Sequence, residues 1–545
     1  MSTPARALLE ILRSEGVDRI FGNPGTTELP LLDALVDAPD LSYVLGLHEG
    51  GVVAMADGYA RATHRPAFVN LHAAAGVANG LIGMLNARRS RTPLVITAGQ
   101  QDRRHLLHEP MLAADLVGLA RAVTKSAVEV RHAADLPLLL RRAFAEAARP
   151  PAGPVFVSIP MDLLAEEAQV EVPPRSPRPE PGVAAGLAAA VTRLAEARNP
   201  VVVAGNGVGL EPAVAELVAV AEALGATVYH EPMADGLNFP TGHPLYHGML
   251  APIAADIRAR LAPHDVALIA GARLTLHHYT PGGPLPERLA VIQLDTDPGA
   301  PGRDFPVTVA LCGGLRATLR ALADRLPRPV PGADERAARL GAATAAQRAD
   351  LDARARDSYG EVPLDPLAAV HALAGGLPPD TVVVEEAITA GLLLRQVLRQ
   401  DRPGSYVHTI GGGLGWGIGA AIGTLMGDPT RPVVAVLGDG CAAFGLQALW
   451  TAAHERVPVT FVVLANDEYR TLKDTLDRNK SRASAAHRYI GLDLRAPTLD
   501  WDAAGRLFGV PVAQPAGCAE LAELARGCAH RDGPLLVHVP VTGHA

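Results

Sequence analysis

Residues 433–468 read VVAVLGDGCAAFGLQALWTAAHERVPVTFVVLANDE. Two apolar, β-branched runs, Val433–Leu437 and Thr460–Leu464, each end in a turn rich in oxygen donors: Gly438-Asp439-Gly440 and Ala465-Asn466-Asp467-Glu468. A helix-like run, Ala443 to Ala453, lies between them, so the stretch predicts a β-α-β unit of a parallel sheet. Both turns then fall at the carboxyl edge, where such sheets bind ligands. Glycines let the backbone approach a phosphate, and a helix start adds positive potential. Asp439, Asn466 and the carbonyl of Glu468 are hard donors of the kind Mg²⁺ accepts beside phosphate oxygens and water. A lone Gly-Asp-Gly is a common surface turn. With Asn in the turn after the next strand, it points to a diphosphate held through a divalent ion.

Outward from this unit the same alternation continues. Thr381–Val384, with Glu385-Glu386 as its turn, and Leu535–Val539 complete the strands of a third block. A first block has strand-like runs at Arg19–Phe21, Tyr43–Gly46, Ala67–Leu71, Leu94–Thr97 and Val155–Ile159. Its opening helix is bounded by Thr3 as N-cap, Pro4 and Gly16. The turns after its first three strands carry Gly22 to Thr27, His48 to Gly51 and His72 to Gly76, so a hydroxyl, a carboxylate and an imidazole are expected in one crevice. The plainer reading is that Glu49 only starts a helix and His72 is a satisfied loop histidine. A middle block carries Gly205-x-Gly207-x-Gly209 after the strand Val201–Ala204, a weak sign of a nucleotide-binding fold.

The fold expected is α/β, with three doubly wound parallel-sheet domains at 1–171, 183–326 and 356–545. Pro- and charge-rich linkers at 172–182 and 327–355 separate them, the second containing a surface helix over Asp334 to Arg354. A chain of 545 residues, 48% hydrophobic, has material for that many cores. Its formal charge of −8 gives no footing for nucleic acid or an anionic membrane as partner. Four cysteines without a C-x-x-C pair read as reduced thiols. No signal-peptide core opens the chain, and the most apolar stretch, Gly411 to Met426, is Gly-rich and too short to span a bilayer. The expectation is a soluble, cytoplasmic protein.

The segment Gly438–Glu468 resembles the diphosphate-binding motif of thiamine-diphosphate enzymes. FGNPGTTELP at Phe21–Pro30, HEGGVVAMADGYAR at His48–Arg61, NLHAAAG at Asn70–Gly76 and GGGLGWGIGAAIG at Gly411–Gly423 are most similar to benzoylformate decarboxylases. The resemblance implies non-oxidative decarboxylation of a small 2-oxo acid to an aldehyde and CO₂, with thiamine diphosphate and Mg²⁺ as cofactors and Ca²⁺ as a possible substitute. The first domain would bind the aminopyrimidine ring and the third the diphosphate. The implied roles are Glu49 on the aminopyrimidine, Leu414 as the wedge that bends the cofactor, and Gly412 as the carbonyl holding its amino group. Asp439, Asn466 and Glu468 would hold the metal. Asn23, Pro24, Gly25, Gly413, Gly438, Gly440 and Tyr469 would complete the cofactor site. His72 and His277 would move protons, with His278 the alternative to His277 in the run His277–Gly282, and Thr26 would contact the substrate carboxylate. Apolar neighbours Leu45, Leu47, Val52 and Val53 would suit Glu49. Because Glu49 and Asp439 lie in different blocks, the family's arrangement implies at least a homodimer, commonly a homotetramer. The glycine triplet alone does not support FAD, which is not expected.

The helix after the metal loop departs from the family. Thr471 and Thr475 stand where small and aromatic residues are usual, so a more polar substrate pocket, with Leu472, His278 and Leu112 also in it, is expected. Arg470 and Lys473 either receive an anionic substrate tail or are solvated helix charges. The competing functions are a carboligase similar to acetolactate synthase, which would take an aldehyde or other carbonyl acceptor, and a non-catalytic relative. A dehydrogenase built on the glycine triplet would leave the other two blocks unexplained. His72 favours the decarboxylase, and retention of Glu49, Leu414, Asp439 and Asn466 argues against loss of catalysis.

Overall fold

The structure, a computed structural model, describes residues 2–279, 281–328 and 330–543. Thr280, inside the His277–Gly282 run, falls outside them. Among the described residues there are three six-stranded sheets with parallel pairing. Their strands in chain order are β1 (Arg19–Gly22), β2 (Ser42–Leu45), β3 (Ala67–His72), β4 (Leu94–Gln100), β5 (Ala127–Glu129) and β6 (Val155–Pro160); β7 (Val201–Ala204), β8 (Thr227–His230), β9 (Tyr246–Met249), β10 (Val266–Ala270), β11 (Ala290–Asp295) and β12 (Val309–Cys312); and β13 (Val382–Glu386), β14 (Tyr406–His408), β15 (Val433–Gly438), β16 (Thr460–Ala465), β17 (Val512–Ala513) and β18 (Leu535–Pro540). The first two sheets run β2-β1-β3-β4-β6-β5 and β12-β11-β10-β7-β8-β9; in the third, β13-β15-β16-β18-β17 are consecutive. Central strands are buried along their length, as expected where helices cover both faces. No helix among the described residues is long and apolar enough to cross a membrane.

The chain forms two compact units. One comprises residues 1–178, 359–393 and 411–545, and the other 179–358 and 394–410. In the second unit the Gly205 triplet serves close backbone packing: a Cβ on Gly207 would lie 2.9 Å from the Cα of Gly271. The turn N–H groups of Asn206 and Arg273 are accepted by the buried carboxylate of Glu231 at 2.7 and 2.8 Å. Burial raises that carboxyl to about 7. The stretch expected as a second linker is mostly a helix, Ala333–Asp357. Arg336 and Arg348 tie that helix to carbonyls of Leu224 and of 241–243.

Helices of the first unit set the site. α1 (Pro4–Glu15) ends at Gly16 with φ 80°, but the Thr3 side chain makes no capping bond. α2 (Glu49–Thr63) is capped by His48, whose Nδ1 accepts from Gly50 N. α3 (Ala73–Arg89) follows β3 directly. α4 (Trp416–Gly427) begins just after the Gly411–Gly415 loop. The helix expected from Ala443 is instead two short ones, and the first, α5 (Asp439–Ala443), starts at the carboxylate itself. Glu385 and Glu386 are not a turn but the buried end of β13.

α2 and α4 cross with their backbones in contact. A Cβ on Gly419 would lie 2.7 Å from the carbonyl oxygen of Gly51, one on Gly427 would lie 2.9 Å from Cβ of Ala62, and one on Gly423 would enter the Met55 carbonyl. The crossing is pinned by Asp57, which is fully buried. It accepts from Trp416 Nε1 at 2.7 Å and from Arg61 Nε at 2.9 Å, and Arg61 lies 5.4 Å from the Trp416 ring. Gly423→Ala is therefore expected to lower unfolding free energy by about 1–3 kcal/mol through overpacking. Gly375→Ala, at an open helical position, should raise it by roughly 0.5–1 kcal/mol. Chemical denaturation of both variants checks this, and equal effects would contradict the crossing.

Candidate active site

At the carboxyl edge of the first sheet, three turns do converge. His72, the last residue of β3, places Nδ1 2.9 Å from Glu28 Oε2 and 3.0 Å from Thr27 Oγ1. Glu28 is buried; its Oε2 also accepts from Gly25 N at 2.8 Å, and Oε1 from Gly99 N at 2.9 Å and Thr27 Oγ1 at 2.7 Å. Carboxylate oxygens accept, so the contact fits His72 donating through Nδ1, which leaves Nε2 as the ring nitrogen not engaged by Glu28 or Thr27. A side chain on Gly25 would collide with the His72 ring. The hydroxyl against His72 thus belongs to Thr27, and Thr26 is exposed. The reading of the sequence passed over Glu28; its only signal was an acidic residue three positions after Gly25.

Glu49 opens α2 in the neighbouring turn, where its Oε2 accepts from Asn79 Nδ2 at 2.9 Å and its Oε1 faces Gly76. Val52 and Val53 are fully buried beneath it, whereas Leu47 is 45% exposed. Asn23 Nδ2 donates to Gly46 O at 2.8 Å and so joins the first two turns, with Pro24 half-buried beside it. The backbone here is strained: Ala73 and Leu112 have φ of 45° and 68°, and Ala74 N donates to Leu112 O at 3.3 Å. Left-handed non-glycine residues cost about 1–3 kcal/mol each and cluster at functional sites.

A cavity of about 330 Å³ opens at the carboxyl edge of the third sheet. Leu414, Gly438, Asp439, Gly440, Asn466, Glu468, Tyr469, Thr471 and Leu472 are in its lining, with Ile388, Thr389, Phe444, Leu464 and Val541. Asp439 is buried; its Oδ1 accepts from Gly440 N and its Oδ2 from Asp467 N, both at 2.7 Å. Burial pushes this carboxyl upward against those two donors. A cation would relieve the cost of keeping it ionised, and the donors present suit one. Asn466 and Glu468 line the cavity beside Asp439, and no group of three or more His, Cys, Asp or Glu that could hold a metal by themselves occurs among the described residues. That is the donor set of an ion completed by phosphate oxygens and water. A Cβ on Gly440 would lie 2.7 Å from the Tyr469 ring, so only glycine leaves this cradle open.

No residue of the first sheet's turns lines this cavity. Within one chain, Glu49 and His72 stand at one crevice and Asp439 and Asn466 at another, while Leu414 borders both the Asp439 cavity and a smaller one lined by His48 and Gly50. Gly412 is exposed with φ 78°, and Gly413 is buried. His277 and His278 belong to the second unit; both are exposed, and His277 Nε2 lies 2.9 Å from Met233 Sδ. Burial shifts His277 downward.

The helix Arg470–Arg478 corrects two expectations. Lys473 is neither solvated nor free for substrate: it is buried, bonded to Glu468 and to Asp493 Oδ1 at 2.5 Å, with Tyr489 beneath it. Arg470 pairs with Asp474. Thr471 Oγ1 meets Thr389 Oγ1 at 2.8 Å at the cavity wall, while Thr475 spends its hydroxyl on the Thr471 carbonyl and is not in the lining. The wall is otherwise mainly apolar.

Family models for the thiamine pyrophosphate enzymes match the chain in three parts: the N-terminal TPP binding domain at residues 2–119, the central domain at 187–322 and the C-terminal TPP binding domain at 389–539. The chain is 38% identical to benzoylformate decarboxylase of Pseudomonas aeruginosa, covering 99% of each. It is 30% identical to acetolactate synthase of Mycobacterium bovis, over 85% of this chain and 76% of that protein. Among solved structures it is similar to the thiamine diphosphate-dependent 4-hydroxybenzoylformate decarboxylase of Rhodococcus jostii RHA1, with TM-score 0.86 and 31% identity over 99% of each chain.

Glu28→Ala would orphan the buried Gly99 N–H and the half-buried Gly25 N–H and remove the carboxylate acceptor of the Thr27 hydroxyl. It is expected to cost several kcal/mol, at about 1–3 kcal/mol for each unsatisfied group. Thr26→Ala should stay within about 0.5 kcal/mol of the parent, as exposed positions do. Urea denaturation separates the two, and a reversed order would contradict the assignment of Thr27 and Glu28 as the partners of His72.

Proposed function

Because the chain belongs to the thiamine pyrophosphate enzyme family, as a thiamine-diphosphate-dependent 2-oxo-acid decarboxylase similar to benzoylformate decarboxylase, we propose that two copies build each active site and that the substrate carries a hydrophobic, aryl-type substituent. The observation that carries the first point is the separation of Glu49 from the Asp439 cavity within one chain. Exposed apolar side chains flank both crevices, Leu47 and Ile82 at one and Ile388, Phe444 and Leu472 at the other, as surfaces awaiting a partner do. The second point rests on the mainly apolar cavity wall and on the internal pairing of Lys473 and Arg470, so that neither of these two cations is free for an acidic tail.

In this reading Asp439 and Asn466, with the Glu468 carbonyl, hold Mg²⁺, and the glycines around Asp439 admit the diphosphate. Thiamine diphosphate, when bound, would supply the carbon nucleophile for the 2-oxo carbon and the electron sink for loss of CO₂. Glu49 would hydrogen-bond its aminopyrimidine ring. Leu414 would pack against the cofactor. His72, oriented through Nδ1 by Glu28, presents Nε2 as the atom that would take up a solvent proton and pass it to the reacting carbon. The two threonine hydroxyls at 389 and 471 offer the substituent its polar contact. The exposed His277 is the candidate second proton carrier.

Two measurements test this. CO₂ release should require both cofactor and Mg²⁺, and arylglyoxylates should outrun acidic and guanidino 2-oxo acids; release confined to the charged substrates would overturn the pocket reading. Glu49→Gln and Asp439→Ala homomers should each lose activity by about 10²-fold or more. Mixed in equal amounts by co-expression, they should regain about a quarter of the parental rate, because random pairing makes half the dimers mixed with one intact site in each. No recovery would contradict a site shared between copies.

A further inference from the structure

The wedge residue Leu414 sits in a glycine loop that should be slack, with glycine at 411, 412, 413 and 415. The structure instead grips it on both flanks. On the N-terminal side, Asn86 of α3 is buried and spends its whole amide on one loop residue: Nδ2 donates to Gly413 O at 2.9 Å and Oδ1 accepts from Gly413 N at 3.0 Å. The loop passes so close that a Cβ on Gly411 would strike Asn86, and one on Gly413 would lie 2.6 Å from the Ile82 side chain. On the C-terminal side, the buried Glu386 at the end of β13 accepts from Trp416 N at 3.1 Å and Gly417 N at 2.8 Å, at the first turn of α4. Gly412 and Gly415, with φ of 78° and 87°, are the bends between the two grips. Leu414 itself is half-buried and borders the Asp439 cavity.

We infer that Asn86 and Glu386 are positioning residues for Leu414, clamping the loop so that this one side chain is fixed against the cofactor ring. The inference rests on the cofactor reading above. Neither residue lines the Asp439 cavity, although Asn86 and Leu414 both line a smaller one on the other side of the loop, so toward the Asp439 cavity each acts through the loop. Two opposed amide bonds on a single residue fix both position and peptide-plane orientation, which one bond would not. The carboxylate on the helix start fixes where α4 begins and so where Leu414 leaves it. A displacement near 1 Å at a reacting centre costs about 10²-fold in rate.

The test uses the full-length protein with thiamine diphosphate and Mg²⁺ but no 2-oxo acid, reading exchange of the cofactor C2 proton in D₂O by quenched-flow NMR. Leu414→Ala and Asn86→Ala should each slow exchange, by about 10²-fold. The double variant should be no slower than Leu414→Ala alone, since a residue that works only through Leu414 has nothing left to position. Glu386→Gln should behave as Asn86→Ala does. Asn86→Asp keeps the acceptor for Gly413 N but sets an oxygen against Gly413 O; it replaces Asn86→Ala in the same cycle if that variant does not fold. Exchange in Asn86→Ala equal to the parent, or slowing that multiplies in the double variant, would overturn the clamp while the decarboxylase reading stands. A parent protein that shows no exchange at all would overturn both.

Discussion

The proposed function needs one carboxylate at the ring of a cofactor whose diphosphate another anchors, and the chain carries the two candidates at the edges of different sheets. Glu49 ends the turn after β2, and Asp439 the turn after β15. Each edge is chemically half a site. The first offers a carboxylate and an oriented imidazole with no phosphate cradle. The second offers a buried metal-type carboxylate, an open glycine turn and a mainly apolar cavity with no histidine among the described residues that line it. A carboxylate as buried as Asp439 is costly to ionise without a cation, so the cavity is built for a charged guest.

Rigid packing behind both edges makes that division workable. The helix that begins at Glu49 is pressed against the helix that follows Leu414, through glycines at 58, 419, 423 and 427, with Asp57, Arg61 and Trp416 locking the crossing. The same two sheets meet again where Asn86 holds Gly413 and where Thr451 Oγ1 donates to Leu45 O at 2.9 Å. Groups intended for one reaction are thereby fixed by backbone contacts, which deform less than long side chains would.

The parallel sheets were readable because their strands are short, β-branched runs ending at glycine, His, Glu or Asp turns. The edge strands Ala127–Glu129, Tyr406–His408 and Val512–Ala513 carried too little apolar pattern to be seen. Turn chemistry gave Glu49, His72, Asp439 and Asn466. It did not show that Thr27 meets His72, nor that Glu385 and Glu386 finish a strand. Charges on the Arg470–Arg478 helix have two meanings in sequence, and only burial shows Lys473 paired with Asp493. Asn86 was invisible because its partner lies 327 residues away.

The most direct measurement is a crystal or cryo-EM structure with thiamine diphosphate and Mg²⁺ bound. The account requires the diphosphate and metal at Asp439 and Asn466 of one chain, Leu414 of that chain under the ring, and Glu49 of the partner subunit within hydrogen-bonding distance of the aminopyrimidine. A cofactor whose ring is met by no carboxylate, or whose diphosphate lies away from Asp439, would contradict it.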